Sequence, residues 1–131
     1  MGQQQLLLIV LGVIVVGIAI IVGINLFSAS AVDQNRAAVI GDLHHVGHLA
    51  QSYYKRPTGF GGGNGSFVGF VIPPMLASSQ NGTYTISTAG TATQVTIQGV
   101  GKEIGDDGVN PVKYQFTAFN NTVNFTLVKQ N

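Results

Sequence analysis

Residues able to do chemistry are few in this chain, and they fall in three places. His44, His45 and His48 are the only histidines and lie within five residues of one another. On a helix His44 and His48 share one face, a spacing that suits two metal ligands, but no HExxH glutamate accompanies them and no third ligand can be placed. The reading preferred for them is hydrogen bonding at a helix–helix or helix–sheet contact, where protonation near pH 6 would tune the contact. Asp106-Asp107-Gly108, with Glu103 nearby, lacks the regular acidic spacing of a calcium loop and reads as a solvated hairpin loop. The glycine-rich stretch 58–66 (TGFGGGNGS) invites comparison with a phosphate loop, yet no Lys-Ser/Thr follows it and it is not set between strand and helix. It reads as a turn that brings the chain back off a helix and lets backbone approach backbone.

Other chemistry is excluded by composition. There is no cysteine, hence no disulfide, thiolate metal site or cysteine nucleophile. Charged residues make up only 8% and the net charge is +1, with no cluster of Lys and Arg, which removes the electrostatic case for nucleic acid. Neither paired catalytic carboxylates nor a Ser/His/Asp spacing is evident, so the chain is expected not to be an enzyme and to need no cofactor and no metal. Asn64-Gly-Ser, Asn81-Gly-Thr, Asn120-Asn-Thr and Asn124-Phe-Thr fit the N-glycosylation pattern, as chance allows in an Asn/Gly/Thr-rich sequence.

The element that dominates the sequence lies upstream of all these groups. Residues 6–24 (LLLIVLGVIVVGIAIIVGI) carry no charged or hydrogen-bonding side chain. As a helix they span about 28 Å, close to the ~30 Å hydrocarbon core of a bilayer. Being apolar all round, this segment has no face to turn to water, and a small domain cannot cover it. It is expected to sit in lipid or among copies of itself. The first charge is Asp33 and the apolar run is long, so a retained helix is expected rather than a removable signal. Gly12, Gly17 and Gly23 are where the helix would bend first, and Ala19 with Gly23 makes a small-xxx-small pair permitting close helix contact.

Beyond Phe27 the pattern becomes striped. Val32, Val39, Leu43, Val46, Ala50 and Tyr53 recur at helical spacing and predict an amphipathic half with one buried face. Asp33, Gln34, Arg36, Asp42, His44, His48 and Gln51 are expected to face water or other subunits. Pro57 places the end of the helix at Lys55 or Arg56, so one helix of about 80 Å over residues 3–55 is predicted. Residues 67–72 read as a short strand or extended segment stopped by Pro73-Pro74, and 75–79 as one helical turn. Four strands follow at 83–88, 93–99, 112–119 and 123–129. Val112, Tyr114, Phe116 and Ala118 share one face, as do Val123, Phe125 and Leu127. Hairpin-length joins at Ala89-Gly90 and Asn120-Asn121 predict an antiparallel meander, its apolar face covered by the striped half of the helix. The fold class is α+β. Four regions follow: 1–27, hydrophobic helix; 28–56, its amphipathic continuation; 57–82, a glycine-rich connection; and 83–131, the sheet, which forms one head with 28–82.

This architecture resembles a type IV pilin. The sequence-specific likeness covers mainly residues 2–70, in GQQQLLLIVLGVIVVGIAI, LAQSYYKRP and GGGNGSF, and looks most like bacterial pilins with a Gly-Gln-Gln-Gln start. The resemblance implies a single-pass inner-membrane subunit that polymerises into an extracellular helical filament for adhesion, motility or surface attachment. Its partners would be further copies of itself, a prepilin peptidase and the pilus assembly machinery. It implies Gly2 and Gln3 as candidates for prepilin processing, and Gln5, Leu6, Leu7, Leu8, Gly12, Gly17, Ala19 and Gly23 for packing in the filament core. Val39, Leu43, Val46, Ala50 and Tyr53 would form the helix face of the head core, with Tyr53, Tyr54 and the loops near Gly61 and Asp106 at or near subunit contacts. The sequence departs from the family in lacking the glutamate usual at the fifth mature position. With Gly2 as the cleavage glycine that position is Leu7; with Met1 as the mature terminus it is Gln5. A proline near position 22 and a C-terminal cysteine pair are also absent. Two other readings stay open: a pseudopilin of a type II secretion system, and a membrane-anchored β-domain that does not polymerise.

Overall fold

A computed structural model describes residues 2–120 and 126–129. One helix, α1 (Gly2–Lys55), accounts for 54 of them. A single turn of 3-10 helix at Thr58–Phe60 and a short helix, α2 (Pro74–Ala77), lead to four strands: β1 (Gly82–Thr88), β2 (Gln94–Ile104), β3 (Pro111–Phe119) and β4 (Thr126–Lys129). The strands form one antiparallel sheet in the order β1-β2-β3-β4, and α1 lies across β2 and β3. The protein is therefore α+β, a long helix packed on a small antiparallel sheet.

Register follows from the side-chain period of two. Val95 pairs with Ala118, Ile97 with Phe116 and Gly99 with Tyr114, so one face of β2 and β3 delivers an unbroken apolar patch. Val39, Leu43, Val46 and Ala50 of α1 close onto it, spaced three or four apart as a helix face requires, and all are fully buried. Tyr84 of β1 completes this layer. Tyr53 is only half-buried: its ring stands edge-on to Phe70 at 5.6 Å and its hydroxyl donates to the Val68 carbonyl at 2.9 Å. Tyr54 likewise packs into the head, 4.9 Å from the Phe67 ring.

One expectation for the connection changes. Residues 67–72 form no strand; Phe67, Phe70 and Ile72 are buried on an irregular backbone that turns at Gly69. Their apolar side chains fill the end of the core beneath Tyr53 and Tyr54, and that burial requires no strand ladder. The glycine-rich turn caps α1. The amides of Gly63, Asn64 and Gly65 donate to the carbonyls of Tyr53, Arg56 and Tyr54, pairing acceptors that the helix end leaves open. Gly63 is required here, because a Cβ would overlap the Ser66 carbonyl and sit 2.8 Å from the Tyr53 ring. β2 also runs further than expected, to Ile104, with an irregularity after Val100. The expected strand positions Val123 and Phe125, the turn residue Asn121, the acceptor Asn124 and the alternative terminus Met1 lie outside the described residues.

Candidate functional site

Nothing in the head covers the first half of α1. Every large apolar side chain from Leu6 to Phe27 is exposed, between 50% and 77%. The helix is long and apolar enough to cross a membrane. Gly2, Gln3, Gln5, Leu6, Leu7 and Leu8 lie exposed on its first turns, and Gly12, Gly17, Ala19 and Gly23 are exposed further along. Around the three internal glycines there is open space for a Cβ, so nothing within the chain demands glycine there. What glycine supplies is a shallow helix surface that another helix can approach closely.

The second half of α1 is fixed to the sheet by polar contacts as well as by the core. Asn35 donates through Nδ2 to the Asn81 carbonyl at 2.8 Å, and its Oδ1 accepts from the amides of Lys102 (3.1 Å) and Glu103 (3.3 Å). This approach needs Gly101, where a Cβ would overlap Asn35 Oδ1. Asp42, expected at the solvent face, is instead part-buried. One of its oxygens accepts from the Tyr84 hydroxyl at 2.6 Å, Asn81 Nδ2 at 3.1 Å and the Ser79 hydroxyl at 3.2 Å. Burial first, and then the adjacent Asp42 carboxylate, push the Tyr84 phenol well above its ordinary range.

The Asp106-Asp107-Gly108 loop is the exposed hairpin loop expected, between β2 and β3, and it also makes polar contacts. Asp107 accepts from the amides of Val109 (3.0 Å) and Asn110 (2.9 Å), and Gly108 takes the left-handed φ of 70°. Asp106 forms ion pairs with Arg36 of α1 and Lys129 of β4. The Lys129 ammonium and then the Arg36 guanidinium hold the Asp106 carboxyl below its usual range, and Asp106 in turn raises Arg36. Asp33 pairs with Arg36 at 3.3 Å. The residues of this loop thus tie the last strand to the helix where the apolar half leaves the head.

His44 meets Phe116 edge-on with ring centres 5.6 Å apart, a helix–sheet contact, whereas His45 and His48 are exposed. Among the described residues no three His, Cys, Asp or Glu gather closely enough to hold a metal ion. A concavity of about 540 Å³ is an open surface bounded by His48, Gln51, Ser52, Lys55 and Arg56. Hydroxyl, imidazole and cationic groups line it. The arrangement suits packing against other molecules: an apolar helix for lipid or for other helices, held rigidly to a compact head. Sequence reading missed Asn35, Asp42 and Asp106 as fastenings, though the Asn81-Gly82 and Gly99-Val-Gly101 glycines were visible hints of close backbone approach. No family model, curated protein or solved structure matches the chain.

Proposed function

We propose that this protein is a structural subunit of an extracellular filament of the type IV pilus kind, held in the inner membrane by residues 1–27 before assembly. The observation that carries this reading is the apolar half of α1, exposed along its whole length while the other half is locked into a folded head. Such a subunit has two favourable places for its helix: lipid before assembly and a bundle of like helices afterwards. Side-by-side packing of these helices gives dispersion contacts and close approach at Gly12, Gly17, Ala19 and Gly23. A head-to-tail contact whose rotation does not close generates a fibre. Gln5 offers neutral hydrogen bonds where the pilin family usually carries a carboxylate.

The test is electron cryo-microscopy of material sheared from cells making the protein. Long filaments with a central bundle of residues 6–24 are the expected result. Short fibres found only on overexpression would favour the pseudopilin reading. If the sheared fraction has no fibres and the protein stays in membranes as a monomer, the polymerisation reading is wrong and the anchored-domain reading replaces it.

A further inference from the structure

The head is chemically polarised along α1. Its far end, away from the apolar half, comprises the end of α1, the 3-10 turn and the β1–β2 turn, which meets the connection where the Phe67 amide donates to the Thr91 carbonyl. No Asp or Glu lies there, and Lys55 and Arg56 are exposed and belong to no ion pair among the described residues. Beside them Phe60 is 79% exposed. All five acidic residues lie elsewhere. Asp42 is occupied by Tyr84, Ser79 and Asn81, and the other four sit at the near end: Asp33 on α1, and Glu103, Asp106 and Asp107 in β2 and the loop after it. At this near end Arg36 and Lys129 are engaged by Asp106, and Lys113 lies on β3 opposite Val100. Lys102 is the exposed cation adjacent to Glu103. The Asp33 side chain remains 74% exposed despite its contact with Arg36, and Glu103 is exposed with no ion pair among the described residues. The same end exposes Val109 and Ile104.

We infer that the far end of one head docks on the near end of a second copy. In this contact Lys55 and Arg56 face Asp33 and Glu103, around an apolar centre of Phe60 against Val109 and Ile104. The inference rests on the polymerisation reading above and adds the contact that sets its direction. Three observations select a second copy as the occupant. The two ends carry opposite exposed charges, Lys55 and Arg56 at one and Asp33 and Glu103 at the other. Each exposes large apolar side chains beside those charges, the usual anatomy of a dry centre with a polar rim. The distance from Asp33 to Lys55 along α1 is about 33 Å, close to the length of the apolar segment 6–27. A stagger of that size stacks head on head and sets successive apolar segments end to end in one continuous column. Lys102 tempers the attraction, so the charges chiefly select partner and orientation, and the apolar centre supplies adhesion.

The experiment uses the full-length chain and compares filament yield in the sheared fraction with the amount of protein in membranes. Lys55→Glu/Arg56→Glu is expected to lower filament yield about tenfold with membrane levels unchanged. Asp33→Lys/Glu103→Lys should do the same, and the four substitutions together should restore the yield. Phe60→Ser, at a side chain outside the core, should also reduce it severalfold. In a filament map, copies offset by about 33 Å should bring Lys55 or Arg56 within ion-pair distance of Asp33 or Glu103. The proposal is overturned if the cationic pair can be reversed without loss, if the fourfold variant is no better than the twofold ones, or if the map holds these ends apart. Those outcomes leave polymerisation intact; absence of wild-type filaments overturns both.

Discussion

Replacing Gly101 by alanine tests how the helix is fastened to the sheet. The added Cβ overlaps Asn35 Oδ1 and sits 3.3 Å from Val39 Cγ2. Asn35 is a side-chain end and can swing away, so the cost lies in what it leaves behind: two amide donors on β2 and one carbonyl at Asn81. At ~0.5–1.5 kcal/mol net for each hydrogen bond, three are worth about 1.5–4.5 kcal/mol. Partial solvent access favours the lower half of that range, and the lost freedom of the unfolded chain returns about 0.4–1 kcal/mol for Gly→Ala. Gly101→Ala should therefore destabilise the head by about 0.5–2.5 kcal/mol. Asn35→Ala removes the same hydrogen bonds without a clash, and in that background the methyl added by Gly101→Ala meets little beyond Val39. The double variant should thus lie within about 0.5 kcal/mol of Asn35→Ala alone, a strong non-additivity. The assay is urea unfolding of the full chain in detergent micelles, followed by near-ultraviolet dichroism of the buried Tyr84 and Tyr114. Additive effects of the two single substitutions would falsify this account of Gly101.

Tyr84 should resist ionisation at a pH where an ordinary phenol titrates. Because its folded pKa lies above the ordinary 10.0, its contribution is complete below pH 10 and lost as pH climbs above that value. Asp42→Asn should bring forward the Tyr84 transition in an ultraviolet pH titration; an unchanged curve would mean that Asp42 has no part in the shift. Asp106 has the opposite sign: its depressed pKa contributes stability above the ordinary 3.8 that disappears as pH falls through the folded value. Asp106→Asn should therefore flatten the acid limb of the unfolding curve and speed amide exchange in β4, whereas exchange confined to β1 would contradict the fastening by Lys129. Gly63→Ala, which drives a Cβ into the Ser66 carbonyl, should cost about 2–4 kcal/mol in the same urea assay, and a loss below ~0.5 kcal/mol would show that the cap can rearrange.

Local pattern carried much of this fold. The apolar run, the stripe from Val39 to Ala50 and the proline at 57 are signals contained within a few turns of chain, and α1 ends at Lys55 as they predict. Strand alternation placed β3 because Val112, Tyr114, Phe116 and Ala118 leave no doubt about which face is buried. Periodicity could not assign Asn35 or Asp42. Both are polar side chains on the flank of a helix, a position that local pattern gives to water, and their partners lie far along the sequence at Ser79, Asn81, Tyr84, Lys102 and Glu103. Residues 67–72 misled for the converse reason. Closely spaced apolar residues resemble a strand, but a chain can bury Phe67, Phe70 and Ile72 on an irregular backbone when turns and a neighbouring carbonyl satisfy its amides.

The two halves of α1 require different solvents, and this constrains how the molecule can exist. Burying one large aliphatic side chain is worth roughly 1.5–3 kcal/mol, while a whole domain is stable by only ~5–15 kcal/mol. The exposed series from Leu6 to Phe27 therefore represents a transfer free energy larger than anything the head could supply to keep it in water. On the proposed reading, a subunit moving from lipid to a fibre must exchange one apolar environment for another without an aqueous interval. The head, by contrast, keeps its core and its Asn35, Asp42 and Asp106 fastenings in either state, because all are internal to the chain. Assembly as proposed would change only what surrounds residues 6–27 and what touches the two ends of the head. Those are the surfaces on which substitutions should alter polymerisation without unfolding the protein.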